Sequence, residues 1–171
     1  APTGLAFNQT DFDGSLIRRT FVSTTNSNNL VAAGTGGIWT STNGGTTWNK
    51  ILDTLIWDIE RDPVNKNTHY ASGGYVANLS EGTACIMKST NFGATWTLLN
   101  TGIPPVGVVQ RIELAISASD PNYVYALCCN MSRGFYGLYR STNGGTSWTQ
   151  RSTTPNILDW GDGSSSGGQG T

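Results

Sequence analysis

Charge is scarce in this sequence. Only 12% of its 171 residues are charged, with three Lys (Lys50, Lys66, Lys88) and a formal net charge of −1. That balance offers no electrostatic footprint for nucleic acid or for an anionic membrane surface. No apolar run approaches the roughly 20 residues that cross a bilayer, so no membrane span is expected. Helical periodicity is missing throughout, and with it any Gly-rich loop opening a helix, which excludes a phosphate cradle. The single His, His69, has no Ser or Cys nucleophile in a recognisable context, so it reads as a packed or hydrogen-bonded strand residue rather than a triad member. Cysteine is equally sparse. Cys85, Cys128 and Cys129 are an odd number, so one thiol stays free or finds its partner outside this chain, unless all three are small buried apolar side chains. What remains for the surface is Ser, Thr, Asn and Gly, the uncharged polar chemistry of an exported protein. The first residue is Ala1 rather than Met, as expected if an upstream segment is removed.

Self-similarity is the main signal. Ser41-Thr42-Asn43-Gly44-Gly45-Thr46-Thr47-Trp48, Ser89-Thr90-Asn91-Phe92-Gly93-Ala94-Thr95-Trp96 and Ser141-Thr142-Asn143-Gly144-Gly145-Thr146-Ser147-Trp148 align without gaps, with starts 48 and 52 residues apart. A short strand-like run precedes each: Gly37–Thr40, Cys85–Lys88 and Gly137–Arg140. Earlier in each repeat come Leu30–Ala33, His69–Ser72 and Val124–Leu127, introduced by turn formers such as Asp62-Pro63 and Asp120-Pro121. Earlier still lie the most apolar runs, Leu16–Val22, Leu55–Ile59 and Val108–Ile116, expected as innermost strands buried on both faces. Four short strands in about 50 residues is one propeller blade.

The expected fold is all-β: blades of four antiparallel strands, three of them with the start of a fourth, within a larger propeller. The divisions are a lead-in over 1–15, blade 1 over 16–52, blade 2 over 53–100, blade 3 over 101–152, and a Gly/Ser-rich linker over 153–171. In each octapeptide, Gly45, Gly93 or Gly145 supplies the positive φ of a tight hairpin. Asn43, Asn91 and Asn143 are expected to accept from backbone N–H groups two residues on, with Ser41, Ser89 and Ser141 adding a local bond. Trp48, Trp96 and Trp148 fold back to bury apolar area between sheets, each contributing about 2–3 kcal/mol. These are blade-fastening residues, together with Thr47, Thr95 and Ser147.

The octapeptides resemble the Asp-box, or bacterial neuraminidase repeat, Ser-x-Asp-x-Gly-x-Thr-Trp, found in sialidases, xyloglucan-cleaving hydrolases, sortilin-type receptors and exported bacterial proteins. In flavour they are most similar to repeats of bacterial cell-surface proteins. Asn stands at all three Asp positions and Ser147 replaces a Thr, changes that keep a short hydrogen-bonding side chain. The sialidases that the motif resembles also carry an Arg-Ile-Pro segment and an arginine trio. Here Arg18-Arg19 precede Thr20-Phe21 instead. The two distant Asp residues of the xyloglucan-cleaving enzymes find no matching segments either. No catalytic residue is therefore carried over, and fold alone does not give function.

The reading that follows is a non-catalytic binding or scaffolding segment of a secreted or cell-surface protein, engaging protein or glycan. The alternative is a fragment of a glycoside hydrolase with catalytic groups partly outside the chain. Partners would be the remaining blades, on the same protein or a second chain. Linkers into the inner strands converge on the channel face, and two of them hold Asp11, Asp13, Asp159 and Asp162, weak candidates for Ca²⁺ or for paired carboxylates. No other cofactor is expected. Trp39, Trp57, Tyr75, Phe135 and Trp160 are aromatics outside the turns, for packing or for a sugar platform.

Overall fold

The computed structural model describes residues 15–74 and 84–158. Twelve strands form three four-stranded antiparallel sheets in simple up-and-down order, and no helix occurs among the described residues. Sheet 1 holds β1 (Ile17–Val22), β2 (Leu30–Gly34), β3 (Gly37–Ser41) and β4 (Asn49–Leu52). Sheet 2 holds β5 (Ile56–Arg61), β6 (His69–Gly73), β7 (Cys85–Ser89) and β8 (Thr97–Leu99). Sheet 3 holds β9 (Val109–Ile116), β10 (Val124–Asn130), β11 (Phe135–Ser141) and β12 (Thr149–Ser152). The apolar runs, the Asp-Pro and Asn turns and the octapeptides fall where the sequence pattern put them.

The sheets stack as blades. Val31, Ala33 and Ile38 of sheet 1 pack against Ile56, Ile59, Ala71, Cys85 and Met87 of sheet 2. Tyr70 and Ile86, on the opposite face of sheet 2, pack against Ile112, Leu114, Val124, Ala126 and Cys128 of sheet 3. The middle blade is thus apolar on both faces, so all five residues of β6 are buried and the strand shows no alternation. Polar bonds reinforce the second junction: the Ser72 hydroxyl donates to the Ile112 carbonyl (2.5 Å) and the Leu114 N–H donates to the Asp58 carboxylate (2.9 Å).

Two expectations need correction. Burial on both faces holds poorly for β1, where five of six residues are exposed, because only sheet 2 packs on sheet 1 among the described residues. The three indoles also differ: Trp148 is 5% exposed, whereas Trp48 and Trp96 are half-buried. Trp148 joins the cluster between blades 2 and 3, and its backbone N–H is tied to the Thr101 carbonyl at the entry to blade 3 (3.0 Å). The cysteines take the apolar alternative: all three are buried free thiols.

The octapeptides share one hydrogen-bond set, and it also corrects the expected pairing. In the first, Ser41 Oγ accepts from the N–H groups of Asn43 (3.3 Å) and Gly45 (2.9 Å). Asn43 Oδ1 reaches further, accepting from Thr47 N–H four residues on (2.9 Å). The bond two residues on therefore belongs to Ser, because the Ser hydroxyl also donates to Asn43 Oδ1 (3.0 Å) and holds that amide over the turn. Asn43 Nδ2 donates to Thr47 Oγ1 (2.8 Å), and Asn143 Nδ2 does the same to Ser147 Oγ (2.9 Å). Each indole N–H closes the turn on the carbonyl of Gly45, Gly93 or Gly145.

Candidate functional site

The first strands of the three sheets run side by side, with β5 touching both β1 and β9. Innermost strands surround the axis of a propeller, and here they carry Arg18, Arg19, Asp58, Glu60, Arg61, Arg111 and Glu113. Trp57 of β5 lies at the centre. The Arg18 guanidinium from β1 sits over its ring, 5.3 Å from the centroid, and that of Arg111 from β9 sits 5.5 Å away. One indole thus receives a cation from each neighbouring blade, an arrangement contributing about 0.5–2 kcal/mol per pair. Its Nε1 is buried and has no hydrogen-bond partner among the described residues.

Carboxylates surround this stack, and each is engaged. Arg111 donates through Nε and a terminal nitrogen to Glu113 Oε1 (both 2.6 Å). Arg19 pairs with Glu60, joining blades 1 and 2. Asp58, 8% exposed, accepts from Ile59 N–H (2.8 Å) and Leu114 N–H (2.9 Å), which makes it a structural clamp between blades 2 and 3. Burial raises the pKa of Glu60, Arg19 opposes the shift, and the nearby Asp58 and Glu113 add to it. Arg61 completes the inner edge by donating to the Val22 carbonyl (2.9 Å) and lying over Phe21.

The octapeptide residues lie elsewhere, between the third and fourth strands of each sheet, and none joins this cluster. His69 is buried between blades, its ring 5.1 Å from Phe21 and 5.3 Å from Phe92, with neither nitrogen hydrogen-bonded at good geometry. Burial lowers its pKa to about 4, opposed by the Asn67 backbone and assisted by Arg61. Trp39 is 2% exposed beneath Lys50, and Phe135 is half-buried in β11. Asp11, Asp13, Asp159, Asp162, Tyr75 and Trp160, together with the start of a fourth blade, lie outside the described residues. Among the described residues no group of three or more His, Cys, Asp or Glu could hold a metal ion. An apolar cavity of about 300 Å³ lies between Cys85, Leu98, Leu99 and the Ile103–Val106 loop.

Sequence reasoning named Trp57 and Arg18 but missed Glu60, Arg111 and Glu113 as a group. The available signal was the intrusion of charged pairs, Arg18-Arg19 and Arg111 with Glu113, into the most apolar runs.

Four-stranded antiparallel sheets packed face to face, with first strands meeting along one edge, define a segment of a β-propeller. No protein-family model matches the chain. Xyloglucanase Xgh74A of Acetivibrio thermocellus is 29% identical over 169 residues, with 90% of this chain but 18% of that protein covered. An ancestral GH74 enzyme superposes with a TM-score of 0.64 at 23% identity, over 81% of this chain and 19% of that one. The GH74 xyloglucanase of Xanthomonas campestris gives 0.59 at 16%, over 78% and 21%. YCF48 from Cyanidioschyzon merolae gives 0.50 at 20%, over 81% and 38%. The chain spans about a fifth of the length of the two xyloglucanases and of the ancestral GH74 enzyme. No helix among the described residues is long and apolar enough to cross a membrane.

Proposed function

We propose that the chain is a non-catalytic binding and scaffolding segment of an exported propeller protein, and that its inner edge engages a glycan through Trp57. The observation that carries this reading is the Trp57 ring flanked by Arg18 and Arg111, while Asp58, Glu60 and Glu113 are each engaged by a backbone N–H or an arginine. A sugar platform needs an aromatic ring held in place, and the two arginines stacked on Trp57 hold this one. Glycoside cleavage needs two carboxyl groups about 5–10 Å apart with one able to give up a proton. The octapeptide residues serve to fasten each blade, a role supported by their closed local hydrogen-bond sets. The remaining blades belong to the rest of the protein or to a second chain.

The second reading, a segment of a glycoside hydrolase, is favoured by the raised pKa of Glu60 and by the xyloglucanase relative. One titration separates the two. Adding a xyloglucan oligosaccharide should quench tryptophan fluorescence in the wild type and not in W57A, with no new reducing ends. Reducing ends that appear with the wild type and vanish in E60Q would establish the hydrolase. The absence of both quenching and cleavage would refute a glycan site at Trp57.

A further inference from the structure

The first strand of each described blade carries one residue more than its partner strand can match. Ile17 pairs with Gly34 and Arg19 with Ala33; Ile56 pairs with Gly73 and Asp58 with Ser72; Val109 pairs with Asn130 and Arg111 with Cys129. The extra residues are Arg18, Trp57 and Gln110, at the same place in the three repeats. A β-bulge leaves its extra residue out of the ladder and re-aims the side chain, and bulges gather beside functional sites. The bulge itself is repeated, while the side chain it presents changes from blade to blade.

Joining the blades does not call for these bulges. The octapeptide turns join them on the second and third strands. The Phe92-Gly93 turn of blade 2 lies against Val31 and Thr40 of blade 1. The Gly144 carbonyl of blade 3 accepts from Tyr70 Oη (2.9 Å) and Lys88 Nζ (2.8 Å) of blade 2. Nor do the bulges depend on the number of blades. Trp57 belongs to the middle described blade, with a neighbour on each side, and inner strands surround a central channel in propellers of every size.

The group presented most openly is a cation. Arg19 pairs with Glu60, Arg111 with Glu113, Arg61 with the Val22 carbonyl, and Asp58 with two backbone N–H groups. The Arg18 guanidinium is exposed, lies 5.3 Å from the Trp57 ring centroid and makes no ion pair among the described residues. Gln110 adds a half-buried amide from blade 3, next in sequence to the second arginine on that ring. A guanidinium offers a fork of N–H donors that matches a carboxylate or sulfate oxygen pair. An amide both donates to and accepts from hydroxyls.

We propose that the three bulge residues form one subsite for an acidic glycan: Arg18 pairs with a carboxylate or sulfate ester of the sugar, and Gln110 hydrogen-bonds its hydroxyls beside the Trp57 ring. This rests on the glycan reading above and narrows it from sugars in general to anionic ones, with Arg18 setting the preference.

Isothermal titration of the full chain with trigalacturonate and with its fully methyl-esterified form tests this, because the two sugars differ at the carboxyl groups alone. The acid should bind about fivefold tighter or more at low salt. That margin should shrink as salt rises, since an exposed charge is screened. Arg18→Gln should bring the two constants together, and Arg18→Lys, a point charge without the fork, should keep part of the margin. Gln110→Ala should weaken both sugars by a similar factor. A sulfated galactose trisaccharide identifies the anion: binding tighter than trigalacturonate assigns the sulfate ester, and weaker binding assigns the carboxylate. Equal binding of acid and ester by the wild type overturns the acidic preference and leaves the Trp57 platform standing, whereas binding of neither removes the platform as well. A margin that survives in Arg18→Gln with an unchanged far-UV spectrum overturns the role of Arg18. A margin insensitive to salt in the wild type overturns it without any variant.

Discussion

Replacing Asp58 measures how strongly blades 2 and 3 are joined. Its carboxylate is nearly buried and accepts two backbone N–H groups, from Ile59 in its own strand and from Leu114 in the first strand of the next blade. Hydrogen bonds to a charged acceptor contribute about 1.5–3 kcal/mol each, and a buried donor left empty costs about 1–3 kcal/mol. Asp58→Ala empties both donors at once, so a loss of about 3–5 kcal/mol is expected. With a urea m-value of about 2 kcal/mol/M, the unfolding midpoint should fall by about 2 M. Asp58→Asn keeps one oxygen for Leu114 but turns an NH₂ group toward the Ile59 N–H, so its loss should be smaller, about half. The assay is urea unfolding followed by tryptophan fluorescence, with circular dichroism as the second probe. A midpoint shift of under about 0.5 M for Asp58→Ala, or an Asn variant less stable than the Ala one, would refute the clamp.

Three further expectations rest on separate features. Gly145→Ala should cost about 2–3 kcal/mol, because φ is 85° and Cβ would strike Leu99, whereas Gly45→Ala should cost only about 1 kcal/mol of backbone strain; paired urea melts compare them. His69 is held neutral with a pKa near 4 against about 6.5 unfolded. Below pH 6.5 the unfolded chain binds a proton that the folded chain refuses, so stability is full above 6.5 and falls by up to about 1.4 kcal/mol per pH unit down to about 4. His69→Leu should remove that slope between pH 7 and 5 in otherwise matched melts. Burial pushes the thiols of Cys85 and Cys128 up to about 12, so a thiol reagent at neutral pH should react slowly with the folded chain and with all three cysteines in denaturant.

The fold was legible because it is repeated. Three copies of one octapeptide fixed the blade period, and turn formers marked the joints between strands. What could not be read locally was decided between blades. Trp48, Trp96 and Trp148 occupy equivalent positions, yet only Trp148 is fully buried, because burial depends on what the neighbouring sheet offers. The Asn side chains were expected to bond two residues on and instead reach four, since Ser already occupies the nearer donor. The inner-edge cluster was half-legible: Arg18, Trp57 and Arg111 sit on three different repeats, and only the side-by-side arrangement of first strands makes them neighbours.

The octapeptide turns complete their own hydrogen bonds within eight residues, yet the second and third each find a seat on the blade that precedes them in the chain. As a chain emerges from one end, the receiving surface of each blade is finished before the piece that fills it has been made. The later piece arrives already shaped. Assembly can therefore run in the direction of synthesis, with every new blade locking onto a completed one and no step waiting for sequence still to come.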